Sequence, residues 1–242
     1  MTDSVVADIP IGRIPWDIQE PGHVETDTVH HSGPKAYGLY VCTIQFVDIP
    51  TLWSERYAIM GRGQYETVKA FQFIEQRCPF RLIEIHPDNG SEFMNDHLKR
   101  YFRDRVPGVH LSRSRPWKKN DNRFVEQKNS TLVRAYLGHM RLDTPQQCLL
   151  LNQIYQDMWL YYNFFQPVLR QIEKIVVDDG SGIYRCRRKH DIAKTPLQRL
   201  LDAKILTDEK RLCLLDLCQR TNPRELRRRI YQQLHQLYAT VP

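Results

Sequence analysis

The chain has no run of about 18 consecutive apolar residues, the length that a membrane-spanning helix requires, so the sequence predicts no transmembrane segment. Its first residues, Met1 to Ser4, lack the basic and then apolar pattern of a secretory signal. Six cysteines are spread over 242 residues with no CxxC pair and no zinc-type spacing to histidines. We therefore expect reduced thiols, a cytoplasmic location and no zinc-binding module.

Acidic residues are too few to balance the basic ones, and the formal net charge is +7. The excess lies in residues 164–242, which hold 16 Lys and Arg against 9 Asp and Glu. The first 163 residues hold 19 of each and are neutral. A basic segment after a neutral core suits a polyanion that is held through its phosphates, and ordinary solvated charge is the alternative.

The clearest chemical pattern lies near the middle of the chain. Residues 82–85 are a short strand candidate, and a turn signal follows directly at Asp88. Asp88 therefore lies at the carboxyl end of a strand, where α/β sheets place ligands. Residues 124–137 are rich in helix formers and stop at Gly138, which puts Glu126 in the first turn of a helix. Two such carboxylates, joined by a basic loop, suit a Mg²⁺ site that handles phosphate.

Two blocks of this region resemble the catalytic core of DDE transposases and retroviral integrases, most closely that of bacterial insertion-sequence transposases. The first block is Asp-Asn-Gly-Ser-Glu-Phe at residues 88–93. The second joins Arg-Ser-Arg-Pro-Trp-Lys-Lys-Asn-Asp-Asn at 113–122 to Val-Glu-Gln-Lys-Asn at 125–129. Thirty-seven residues separate Asp88 from Glu126, close to the family's interval. The resemblance covers most of residues 20–201 and implies an α/β, RNase H-like fold, a five-stranded mixed sheet flanked by helices.

The resemblance also implies a third carboxylate, an Asp on the first strand of that sheet. Asp27 and Asp48 are the candidates. The apolar pattern predicts a three-strand meander with Asp27 on its first strand and Asp48 at the end of its second. We favour Asp27, because the fold places its strand beside the one ending near Asp88, and because Asp commonly starts turns.

The predicted catalytic residues and metal ligands are therefore Asp27, Asp88 and Glu126, which would hold two Mg²⁺ ions, with Mn²⁺ as a substitute. A pair of such ions can activate a water or a 3′-hydroxyl and stabilise the leaving oxygen. The implied function is metal-dependent DNA cleavage and strand transfer in transposition, that is, DNA integration and recombination. The alternatives are an RNase H-like nuclease without joining activity and a non-enzymatic DNA-binding remnant of a mobile element.

Polar and basic residues around the carboxylates are predicted to contact DNA, through phosphates or by stacking on a base. They are Asn89, Ser91, Arg113, Arg115, Trp117, Lys118, Lys119, Arg123 and Asn129. For the asparagines and the serine, the alternatives are orientation of the carboxylates, turn geometry or helix capping. For the loop cations, the alternative is a solvated loop.

The predicted organisation is an arm or linker at residues 1–21, the catalytic core at 22–167, and a basic, mainly helical extension at 168–242. Insertion-sequence relatives carry a helix-turn-helix region before the core, and we expect this chain to lack one, either as a truncated copy or with that half made separately. The implied partners are DNA, at element ends and target, and further copies of the chain on that DNA. The expected place is the bacterial nucleoid, with no membrane involved.

Overall fold

A five-stranded mixed sheet lies at the centre of the computed structural model, which describes residues 9–88, 90, 93, 96–178 and 184–241. Helices lie on both faces of this sheet. The strands in the described residues are β1 (Ile11–Gly12), β2 (His23–His30), β3 (Val41–Asp48), β4 (Ser54–Met60), β5 (Glu84–Pro87), β6 (His110–Leu111), β7 (Arg113–Ser114), β8 (Gln171–Asp178) and β9 (Tyr184–His190).

The central sheet has the strand order β4-β3-β2-β5-β6. β3 runs antiparallel to both of its neighbours, whereas β2, β5 and β6 run parallel to one another. The three-strand meander is therefore confirmed, and a helix carries the chain from β4 to β5, as a parallel connection requires. This order and these directions confirm the predicted α/β class and the five-stranded sheet of an RNase H-like fold.

The helices in the described residues follow the predicted pattern, with one irregular segment. They are α1 (Gln64–Arg77), α2 (Asp96–Arg105), α3 (Arg123–Lys128), α4 (Ala135–Leu137), α5 (Pro145–Phe164), α6 (Pro196–Asp202), α7 (Asp208–Arg220) and α8 (Pro223–Tyr238). A π-helical segment, Asn129–Arg134, joins α3 to α4 in one continuous run. That run ends at Gly138, whose φ of 56° is easily adopted by glycine alone. No helix in the described ranges is long and apolar enough to cross a membrane.

Both faces of the sheet are covered because the two-residue period of β3 sends apolar side chains to each side. Ile44 and Phe46 pack with Phe71 of α1 in one apolar cluster. Val41 points to the opposite face and packs with side chains of α5 and α8. A strand that is covered on both faces has a nearly continuous apolar sequence, and every residue of β3 is buried.

The C-terminal extension packs against this core. Leu226, Ile230 and Leu234 form an apolar stripe along α8 and are buried in the cluster that contains side chains of α5. Arg229 of α8 forms an ion pair with Asp157 of α5, at 2.6 Å from Nε to Oδ2. The extension also contains an antiparallel hairpin of β8 with β9.

The N-terminal arm is packed rather than extended away from the core over its described part. β1 pairs in parallel with β7, and Ile14 is buried in an apolar cluster with Phe124. The carbonyl oxygens of Trp16 and Ile18 both accept hydrogen bonds from Arg170 Nη2 at 2.7 Å. The arm therefore joins the core to the start of the C-terminal extension.

Two asparagines of α5 hydrogen-bond backbone groups on the outer edge of β4, the terminal strand of the sheet. Asn163 accepts the Ser54 N–H and donates to the Ser54 carbonyl, both at 2.9 Å. Asn152 makes the same pair of bonds with Ala58, at 2.8 and 2.9 Å. An exposed strand edge is a template for aggregation, and these amides close it.

We predict that Asn163→Ala lowers the free energy of unfolding by about 1–3 kcal/mol, because the buried Ser54 N–H and carbonyl lose their partners. Chemical denaturation measures this loss, and light scattering should detect more aggregation. Gln156→Ala, on the exposed face of the same helix, is the control and should have little effect. Equal effects of the two substitutions would contradict the role of the amide.

Candidate functional site

The register between β2 and β5 places two of the predicted carboxylates at neighbouring positions on adjacent strands. The last paired residues are Thr26 of β2 and Pro87 of β5. Asp27 and Asp88 each follow one of these residues directly, so they occupy neighbouring positions where the pairing of the two parallel strands ends. This is the edge at which an α/β sheet presents ligands.

The backbone at Asp88 is held by side chains that come from the loop after the sheet. Asn122 is buried, and with its amide oxygen facing β5 it accepts the Asp88 N–H at 2.9 Å and the Ser114 hydroxyl at 3.0 Å. Asp88 Oδ1 accepts the Gly90 N–H at 2.8 Å. His86 is fully buried beside it, with Nδ1 2.7 Å from Ser112 Oγ, and burial lowers its pKa. The backbone and the carboxylate of Asp88 are therefore both held by hydrogen bonds.

A buried glutamate on β2 anchors the helix that carries the third predicted carboxylate. Glu25 Oε2 accepts the N–H groups of Phe124 and Val125 at 2.7 and 2.9 Å, at the start of α3. Glu126 is the next residue, and its side chain is exposed. Burial raises the pKa of Glu25 to about 8, and the two N–H groups oppose that rise. Glu25 and Asp27 lie two residues apart, so both face the same side of the sheet.

Asp27 is fixed against the same helical run. Its Oδ1 accepts the Thr28 N–H and its Oδ2 accepts Asn129 Nδ2, both at 2.7 Å. Asn129 is the first residue of the π-helical segment and is buried. Its placement agrees with orientation of a carboxylate, one of the alternatives that the sequence left open for this residue.

Asp27, Asp88 and Glu126 line one open cleft of about 500 Å³. Within the described part of the chain, no three side chains from His, Cys, Asp and Glu converge closely enough to hold a metal ion as they stand.

The side chains that line this cleft offer the type of ligand atom that Mg²⁺ prefers. The ion prefers oxygen ligands and retains waters and substrate phosphates in its shell, so a few carboxylates on an open cleft are enough. Asn129 adds an acceptor, because its Oδ1 is buried and receives no hydrogen bond from a described residue. An open cleft also leaves room for a substrate beside the ion.

The basic loop forms the rim of the same cleft, and one of its predicted DNA contacts is occupied by a structural interaction. Arg115 donates from Nε and Nη2 to the two carboxylate oxygens of Asp121, each at 2.8 Å. Asp121 is 1% exposed, and its hydrogen bonds to Arg115 lower its pKa. The tip of the loop, Trp117, is 99% exposed at φ 64°, a backbone conformation that costs energy for a bulky residue. Lys118 also lines the cleft.

The other predicted DNA contacts lie elsewhere or are not described. Arg113 faces the arm, where its Nε donates to the Ile9 carbonyl at 3.3 Å. Arg123 lines a separate cleft that adjoins α3. Asn89, Ser91 and the side chain of Lys119 lie outside the described residues and atoms.

Asp48, the rival candidate for the first carboxylate, does not line this cleft. It pairs with Val24, near the start of β2, whereas Asp27 lies farther along that strand. Asp48 is 1% exposed, and its carboxylate accepts the N–H groups of Gly22 and Thr51 at 2.7 and 3.0 Å. Burial raises its pKa to about 6. These contacts are those of a turn-forming residue.

Sequence reasoning missed two residues that support the cleft. Glu25 had a detectable signal, since it alternates with Asp27 on one strand and a glutamate in an otherwise covered strand needs a partner. Asn122 lies inside the Asn-Asp-Asn block, but only the folded chain brings its amide to the Asp88 N–H.

Comparisons with known proteins give one curated relative and retroviral integrase structures, and no protein-family model matches the chain. The uncharacterized protein y4rM of Sinorhizobium fredii (strain NBRC 101917 / NGR234) is 34% identical over 175 residues, which are 72% of this chain and 49% of that protein. The chain thus spans about half the length of the curated relative it matches.

The structural neighbours are retroviral integrase catalytic cores. The HTLV-2 integrase catalytic core domain, solved with magnesium in a dimeric form, has 19% identity and a TM-score of 0.45, covering 61% of this chain and 90% of that one. The simian T-cell lymphotropic virus intasome in complex with PP2A regulatory subunit B56 gamma has 13% identity and a TM-score of 0.48, covering 66% and 55%. The fold assignment itself rests on the strand order and directions of the sheet.

We predict that Glu25→Gln changes how stability depends on pH. The folded chain keeps the Glu25 proton up to about pH 8, whereas the carboxyl of an unfolded chain loses it near 4.5. The contribution of Glu25 to stability is therefore present at low pH and is lost as pH rises through this window. The Tm of Glu25→Gln relative to wild type should rise between about pH 5 and pH 9.

Thermal unfolding of both proteins across that range measures the effect. The amide oxygen introduced by Glu25→Gln can still accept the helix N–H groups, so this variant should stay folded. Glu25→Leu removes the acceptor and should be destabilised by about 1–3 kcal/mol at every pH. Parallel pH curves for wild type and Glu25→Gln would show that the folded carboxyl is not protonated at neutral pH.

Proposed function

We propose that this chain is a DDE-type polynucleotidyl transferase that cuts and joins DNA at the cleft formed by Asp27, Asp88 and Glu126. The observation that carries the proposal is the β2–β5 register, which puts Asp27 next to Asp88 while Glu126 lines the same cleft. Sequence blocks at residues 88–93 and 113–129 supply the resemblance to this reaction class. A single carboxylate on a surface carries no such meaning, but three on one cleft beside a basic loop do.

The three carboxylates are the proposed ligands of two Mg²⁺ ions, with Mn²⁺ as a substitute. When bound, such ions lower the pKa of a water or 3′-hydroxyl and neutralise charge on the phosphate and the leaving oxygen. Asn129 holds Asp27 in place from its Nδ2. Glu25 and Asn122 are positioning residues, since they fix the start of α3 and the backbone of Asp88 respectively.

DNA is the proposed substrate and partner. Lys118 on the cleft rim is placed to contact a phosphate, and the exposed Trp117 ring offers a surface on which a base can stack. Asn89, Ser91, Lys119, Arg113 and Arg115 remain proposed contacts from the sequence, with Arg115 also holding Asp121. The finer proposal is an insertion-sequence transposase of a bacterial nucleoid, acting as a homo-oligomer on element ends and target DNA.

One assay separates this function from its alternatives. The full chain is incubated with short labelled duplexes and Mg²⁺ or Mn²⁺, and cut and joined products are resolved on a denaturing gel. A transposase or integrase gives both products, a nuclease gives only cut strands, and a binding remnant gives neither.

We predict that Asp88→Asn or Glu126→Gln reduces cutting and joining by at least about 10²-fold, the loss typical of one electrostatic catalytic group. Both variants should stay folded, and their Tm without Mg²⁺ should be unchanged or higher, because a repelling charge is removed from the cleft. Asn at position 88 keeps an oxygen for the Gly90 N–H. A clear drop in Tm would assign these residues to the structure of the core.

We predict opposite outcomes for the two first-strand candidates. Asp27→Asn should abolish activity in a folded protein, whereas Asp48→Asn should lower the unfolding free energy by about 1–3 kcal/mol, because its buried hydrogen bonds to Gly22 and Thr51 are weakened. Activity per folded molecule, with the folded fraction taken from circular dichroism, makes the comparison. Full activity of Asp27→Asn would transfer the metal role away from that residue.

A further inference from the structure

A second cleft adjoins α3 and shares no lining residue with the carboxylate cleft. Gln127 lines this cleft, which has a volume of about 340 Å³, whereas the preceding residue Glu126 lines the carboxylate cleft. Its wall is completed by Arg123 of α3, Trp16 of the arm and Arg188 of β9. None of the described residues that line it is acidic. We refer to it as the basic cleft.

The guanidinium of Arg123 is held in a fixed plane within this cleft. It stacks on the Trp16 indole, 3.4 Å from the ring centroid, and Arg13 lies over the same ring at 5.1 Å. Arg123 Nε is buried and has no hydrogen-bond partner among the described residues. A planar, stacked guanidinium presents donors in a geometry that matches phosphate, and its order is established before the anion arrives.

The surroundings of Arg123 concentrate positive charge. Burial and then the nearby guanidiniums of Arg13, Arg170 and Arg188 lower its pKa to about 10, against the opposing effect of Glu25. An anion in the basic cleft would relieve this repulsion.

We propose that the basic cleft binds a backbone phosphate of the same DNA that occupies the carboxylate cleft, so that one strand contacts both clefts. Consecutive residues of α3, Glu126 and Gln127, line the two clefts, and successive nucleotides of a strand rise about 3.4 Å. A single DNA strand can therefore reach both clefts. The identity of the anion as DNA rests on the proposed function, while the anion-binding geometry does not.

The strand β9 offers a matched pair of variants. Arg188 and His190 line the basic cleft. Successive side chains of a strand point to opposite faces, so the exposed residues Arg187 and Lys189 point to the other face of β9. Arg188→Gln and Arg187→Gln remove the same charge from adjacent positions of one hairpin. Arg188→Lys keeps the charge and controls for the change of side chain.

The test is equilibrium binding of the full chain to a fluorescent duplex in EDTA, measured by anisotropy over a series of salt concentrations. Each phosphate contact that is lost should reduce the slope of log Kobs against log salt by about 1. We expect that reduction for Arg188→Gln, a preserved slope for Arg188→Lys, and no change of slope for Arg187→Gln. Equal effects of the two glutamine variants, or none from Arg188→Gln, would overturn the proposal.

The same measurement separates this proposal from the proposed function and from other anions. EDTA removes the metal, so the contrast between Arg188 and Arg187 is read without any cutting or joining. If DNA is cut and joined but the two glutamine variants have the same salt slope, the basic-cleft proposal is wrong and the proposed function is supported. If the slopes differ and no reaction occurs, the basic-cleft proposal is supported without the proposed function. Poly-glutamate that binds with the same dependence on Arg188 would show an acidic-peptide site and overturn the proposal, as would failure to bind DNA.

Discussion

The parallel pairing of β2 with β5 is the constraint on which the rest of the structure depends. Its register ends at Thr26 and Pro87, so the next residues, Asp27 and Asp88, become neighbours at one edge of the sheet. A shift of one residue would turn Asp27 to the other face. The hydrogen bonds of His86 and Asn122 belong to this constraint, because they hold the strand end and the loop that follows.

Two side chains on one face of β2 position α3, the helix that carries Glu126. Glu25 fixes the start of α3 and Asp27 fixes the start of the π-helical segment, so two carboxyl groups on β2 hold both ends of the six-residue α3. A π segment widens the turn and is often found at functional sites. Here it begins at Asn129, the residue that bonds Asp27. Glu126 lies between these two anchors, and its exposed side chain lines the cleft where a substrate would lie.

Two arginines of the basic segments have structural partners. Arg115 is engaged with Asp121, and Arg229 with Asp157, so two cations of basic segments hold the fold together. By contrast, Arg123 and Arg188 lie on a cleft with no acidic lining residue among those described. The placement of cations relative to acidic partners therefore says more about a binding surface than the net charge does.

The sequence by itself determined the elements and the chemistry of the carboxylates. The apolar pattern predicted the meander, and a turn after residues 82–85 placed Asp88 at a strand end. Gly138 marked the end of the helix that carries Glu126. All three are local properties of the chain. The sequence could not decide what depends on distant partners. Only the tertiary structure places Glu25 under α3, pairs Arg115 with Asp121, and packs the arm and the β8–β9 hairpin around Arg123 to make the basic cleft. Each of these contacts joins residues whose neighbourhood is created by the register and packing of the sheet, which no local pattern encodes.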